Sequence, residues 1–153
     1  RERGPRLGPE ARRGELQSTA PLTAGKTLAG YPDLFGLTRQ PFPNQEVSRD
    51  LVRMLNRSGF NSASVHQGTR PNRPLVEIGA KDEAEVFDAL RACASAMVDL
   101  KARFDDRVGA LEVVFVTPGR ERGGQFEMTE DRAQRLVTRQ LSPAEFFVAF
   151  VQF

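Results

Sequence analysis

Between Asp82 and Phe104 the large apolar residues Val86, Leu90, Cys93, Met97, Leu100 and Phe104 recur at intervals of 4, 3, 4, 3 and 4. That repeat aligns side chains along one face of an α-helix and predicts a helix of about six turns. Acidic Asp82, Glu83 and Glu85 open the segment and Lys101 and Arg103 close it, the order that the helix dipole favours. A second helix is predicted in "NQEVSRDLVRMLNRSGF". There Asn44 can cap, Val47, Leu51, Met54 and Leu55 share a face, and Gly59 can supply the left-handed residue that stops the helix.

Other stretches carry the period of two, or the continuous apolar run, of strands. "FNSASVHQ" (60–67) alternates, "GTRPNRP" makes a polar turn, and "LVEIGA" (75–80) follows. "ALEVVFVTP" (110–118) is a β-branched run that suits a central strand covered on one face by the long helix, and Pro118 ends it. After the loop "GRERGG" comes a short extended piece, "QFEM", and then a helix, "TEDRAQRLVTRQ", that Thr129 can cap. The tail "LSPAEFFVAFVQF" opens with a capping box, Ser142 with Glu145, and with Pro143 at the first helical position. "FFVAFVQF" is apolar on both alternating faces and rich in aromatic and β-branched residues. It therefore predicts a brief helix followed by an interior strand, with a full-length helix as the competing reading. The pattern as a whole predicts a small α+β domain, a mixed sheet with a long amphipathic helix across one face, preceded by an extended N-terminal arm.

The arm comes from the contrast between residues 1–45 and 46–153. "RERGPRLGPEARRG" holds five arginines, three glycines and two prolines but one large apolar residue, Leu7, too little apolar surface to offset its own ordering entropy. Residues 15–45 lack any sustained period. They space Leu16, Leu22, Leu28, Tyr31, Leu34, Phe35, Leu37 and Phe42 between Gly and Pro residues, unlike a plain Gly/Ser linker. Such a segment lays side chains into grooves, on neighbouring chains or on its own domain. The net charge of +2 divides unevenly: the arm has seven cationic and four acidic side chains, a net +3, and the remainder is net −1.

Candidate chemistry is sparse. His66 is the one histidine and Cys93 the one cysteine, so a disulfide framework or multi-cysteine zinc site is excluded within this sequence. Cys93 falls inside a helical apolar stripe, where a thiol acts as a small buried hydrophobe. Asp105 and Asp106 are adjacent at a helix end and do not converge on one substrate atom. "PGRERGG" offers glycines and arginines to an anion but has no P-loop lysine followed by Ser or Thr. Arg70 and Arg73 with the arm arginines could meet nucleic-acid phosphates, against which stand a near-neutral domain and a single tyrosine. No apolar run reaches the roughly 20 residues of a membrane-spanning helix. Arg rather than Met at position 1 fits a chain that starts after a cleaved targeting segment, after a tag or after further residues, with cleavage the favoured reading.

The succession "LVEIGA", acidic-capped helix, "ALEVVFVTP", glycine-rich loop and "MTEDRAQRLV", over about residues 75–137, resembles the C-terminal part of an uncharacterised domain family of cyanobacterial and chloroplast thylakoid proteins. In that family a "VEVLWTP"-like strand precedes an "LTEDEL"-like helix. The resemblance implies a plastid or thylakoid setting and supplies no catalytic residues.

Together these features predict a non-enzymatic accessory subunit of a large organellar assembly, in a plastid or mitochondrion and soluble or peripheral to a membrane complex, with no cofactor. It clamps neighbouring protein subunits through Tyr31, Leu34, Phe35 and Phe42, with Arg12 and Arg13 steering at the rim. The alternative is an RNA-contacting subunit of a ribonucleoprotein such as an organellar ribosome, and an enzyme of unknown type ranks third.

Overall fold

The structure is a computed structural model that describes residues 40–119 and 121–153. Its elements run α1 (Gln45–Arg57), β1 (Ser64–Gln67), β2 (Pro74–Gly79), α2 (Glu83–Phe104), a 3-10 turn (Asp105–Arg107), β3 (Ala110–Val116), β4 (Arg122–Thr129), α3 (Glu130–Val137) and α4 (Pro143–Phe150). The strands form one mixed sheet in the order β1-β2-β3-β4. β1 and β2 are antiparallel, β2 and β3 parallel across the long α2 connection, and β3 and β4 antiparallel. The α+β class and the mixed sheet are as the pattern predicts.

Local chemistry sets most boundaries. The side chains of Asn44, Asp82, Thr129 and Ser142 accept the backbone N–H groups of Val47, Glu85, Arg132 and Glu145, capping all four α-helices. Ser142 and Glu145 complete the reciprocal box, at 3.1 and 2.8 Å. All six residues of the α2 stripe are buried and join Val76, Val113, Phe115 and Phe126 of the sheet in one core. α2 also buries Ala89, Ala94 and Ala96, small residues that let neighbouring helices approach. Arg103 of α2 pairs with Asp50 of α1 at 2.7 Å, and Arg132 of α3 lies 3.8 Å over the Phe150 ring of α4.

Four expectations change. β1 starts at Ser64, because Phe60–Ala63 turns out of α1 (Phe60 N–H to Leu55 O, 2.9 Å) before the chain extends. β4 is longer than "QFEM", beginning at Arg122. α3 stops at Val137, three residues early, with Arg139 in the left-handed region at φ 67. The C-terminal stretch is helix rather than interior strand: α4 runs to Phe150, and only Gln152 pairs with the sheet, in an isolated bridge to Gln125. The capping box starts this helix and aromatic packing keeps it. Phe146 meets Phe126 at 5.3 Å and Phe150 at 5.0 Å between ring centroids, and Phe147 meets Phe87 at 6.1 Å. Edge-on contacts one helical turn apart outweigh the β propensity of the same residues.

The packed unit also starts earlier than residue 46. Phe42 is 3% exposed and belongs to the core, and the Gln40 carbonyl accepts the Gln67 N–H at 2.7 Å on the outer edge of β1.

Candidate interaction surface

Residues paired across strands, and alternate residues along a strand, share a face of a sheet. One face, holding Val65, Val76, Val113 and Phe126, meets the helices. The second face carries two rows read from the register: His66–Leu75–Glu112–Glu127, and Ser64–Glu77–Val114–Gln125. Leu75 and Val114 are each 2% exposed, yet they form a cluster apart from the main core. The helices therefore do not account for their burial.

Glu112 sits in the centre of this face, fully buried. One carboxylate oxygen accepts the Thr69 N–H at 2.8 Å, and the other accepts the Thr69 hydroxyl. Arg73 Nη1 lies 3.6 Å from Glu112 and 3.0 Å from Glu127. Gly68 makes this closure possible: a Cβ there would stand 2.2 Å from the Arg73 carbonyl and 2.5 Å from Glu112 Oε1. Only glycine lets the 68–73 loop close onto the carboxylate. The buried acid pins the β1–β2 connection against β3, and its desolvation is offset by two hydrogen bonds and a cation.

Among the described residues two buried side-chain nitrogens have no hydrogen-bond partner, His66 Nδ1 and Gln125 Nε2. Both belong to second-face residues. Toward the C-terminal ends of β2 and β3 the same face opens into a cleft of ≈ 500 Å³ lined by Ser64, Glu77, Lys81, Val116, Thr117 and Arg122, among others.

Of the predicted partner-binding residues, Arg12, Arg13, Tyr31, Leu34 and Phe35 lie outside the described residues. Phe42 does not serve as an anchor for another chain, because its ring fills the domain's own core. Arg73 is held by Glu127 and Glu112 rather than turned toward a phosphate. In the "GRERGG" region, the Thr117 N–H donates to the Glu121 carbonyl at 2.8 Å, closing a β3–β4 hairpin turn. His66 lies half-buried on the second face, and among the described residues no group of three His, Cys, Asp or Glu side chains could hold a metal. No described helix is long and apolar enough to cross a membrane. The grouping of Thr69 and Arg73 around buried Glu112 was missed from the sequence, since Thr69 and Glu112 are 43 positions apart and the glutamate sits in an apolar run.

Burial pushes the Cys93 thiol up to about 12. A folded value above the unfolded one means that this group's contribution to stability is present below about 9 and is lost as the pH rises toward 12. At pH 8 the thiol is expected to resist alkylation by iodoacetamide until denaturant unfolds the chain; fast labelling in native buffer would show that α2 does not bury it.

Compared with protein-family models, curated proteins and solved structures, the chain matches none.

Proposed function

We propose that this chain is a non-enzymatic accessory subunit of a multi-protein assembly, binding neighbours through the segment before Gln40. The observation that carries the reading is where the core begins. Phe42 closes the apolar cluster and Asn44 caps α1, so α1, the α2 stripe and the helix-facing side of the sheet have packing partners among the described residues. Residues 1–39 hold a net +3 charge and the apolar anchors Tyr31, Leu34 and Phe35, more apolar reach than a spacer needs. Val148, 67% exposed on a helix that is otherwise apolar but for Glu145, adds a contact patch. The resemblance over residues 75–137 is what favours an organellar assembly, at a thylakoid or another bioenergetic membrane, in this reading.

The test is a pull-down of the tagged chain in mild detergent, with identification of the co-purifying chains. Stoichiometric protein partners are expected. Tyr31→Ala with Phe35→Ala should remove them, and Arg12→Ala with Arg13→Ala should weaken binding only at low salt. Recovery of RNA instead, with the arginine pair decisive and binding falling steeply as salt rises, would replace this reading with the RNA-contacting one.

A further inference from the structure

We infer that the groove between α2, the end of α3 and the start of α4 binds a small amphipathic carboxylate, a short apolar chain that ends in an anion. The groove encloses ≈ 600 Å³, the size of a small-molecule cleft. Its floor is apolar: Ala94 and Leu136 are buried, and Leu141 and Pro143 are half-buried. The described fold leaves two large apolar residues exposed, Val137 at 49% and Val148 at 67%, and Val137 lines this groove. The charged groups among the described lining residues are the guanidiniums of Arg91 and Arg139, with no carboxylate. The acids on the flanking elements lie outside the lining and are engaged: Asp88 with Arg91 at 3.1 Å, Asp131 with Arg135 at 3.3 Å, and Glu145 with the Ser142 N–H at 2.8 Å. The surroundings are therefore neutral, and the attraction for an anion is local to the rim. Arg139 has no ion-pair partner among the described residues, and the Arg91–Asp88 pair is weak because both side chains are more than half exposed.

Arg139 sets the groove apart from an ordinary helix junction. It leaves α3 in the left-handed region at φ 67, a conformation that glycine adopts freely and arginine only with strain. The turn needs that backbone, since the Leu141 N–H reaches the Arg135 carbonyl across it at 3.1 Å. Glycine would serve the turn better; what arginine adds is a cation on the rim of the groove. Shape favours a small ligand over a protein segment. α2 contributes one turn, Arg91 to Ser95, about 6 Å along its axis, whereas a docked amphipathic helix presents anchors over two turns. An extended peptide needs main-chain partners, and the Ser142 N–H and hydroxyl are spent in the capping box. A hydrocarbon chain needs none, and its carboxylate would meet Arg139 in a charge-assisted hydrogen bond.

The inference concerns the isolated chain and does not rest on the assembly reading. Sodium decanoate, kept below micelle formation, is titrated into the isotope-labelled full chain and followed in amide and methyl spectra. Saturable shifts are expected at Leu136, Val137 and Leu141, and none at Leu75 or Val114 on the second sheet face. Decyltrimethylammonium, with the chain but the opposite charge, and sodium acetate, with the charge but no chain, should not saturate these signals. Arg139→Gly should leave the melting temperature unchanged or raised, because it relieves the strained turn, yet weaken decanoate binding about threefold to tenfold. Arg91→Gln with Arg139→Gly should weaken it further. Equal saturation by either control, shifts centred elsewhere, or unchanged affinity in Arg139→Gly would overturn the inference. So would displacement of decanoate by lower concentrations of the blocked peptide Glu-Leu-Leu-Glu, since the groove would then belong to a protein partner.

Discussion

Phe42→Ala is expected to lower the unfolding free energy by about 3 to 5 kcal/mol, the range for emptying a buried aromatic site. The ring is 3% exposed and joins a cluster that includes Val47 and Leu51 of α1 and the α2 stripe. Its loss removes the apolar contact that precedes the Asn44 cap and holds the start of α1 to the sheet. For a domain of this size the melting temperature should fall by roughly 10 to 20 °C. A loss under about 1 kcal/mol by urea denaturation would mean that Phe42 is an arm residue after all.

Glu112→Ala is expected to cost about 3 kcal/mol, the lower end for breaking a buried ion pair, because Arg73 is partly solvated and keeps Glu127. The substitution leaves the Thr69 N–H and hydroxyl without their carboxylate acceptor, and because Thr69 is itself exposed, water replaces that acceptor in part. The damage should concentrate in the 68–73 loop, where amide exchange would accelerate more than in α2. Glu112→Gln keeps an acceptor for the Thr69 N–H and should cost less than Ala. Equal stability of the Ala variant and the parent chain would show that the loop is held by something other than this carboxylate.

How legible the fold was in the sequence follows from which forces are local. The α2 stripe, the four caps and the β-branched run of β3 are decided within a few residues, and each was readable. α4 was misjudged because its aromatic residues fit strand and helix equally well in isolation; the choice is made by Phe126 and Phe87, which come from β4 and α2. The end of α3 had no glycine or proline to mark it, since Arg139 itself takes the left-handed conformation. Phe42 looked like one more anchor in a Gly/Pro-punctuated segment. Nothing in its neighbours distinguishes a ring aimed at its own core from one offered to another chain. The second sheet face was the least legible part, because its identity depends on strand register, and register is set by pairings across residues 64 to 129.

The fold closes at Phe42, and in the proposed function residues 1–39 make the contacts with other chains. Thermal and urea unfolding of chains that begin at residue 40 and at residue 46 tests it most directly. The chain from residue 40 is expected to fold and to lie within about 1.4 kcal/mol of the full chain, a change of at most about tenfold in the folding equilibrium. The chain from residue 46 should lose a further ~3 kcal/mol or more with the Phe42 ring. Failure of the chain from residue 40 to fold, or equal stability of the two truncations, would show that the fold does not close at Phe42.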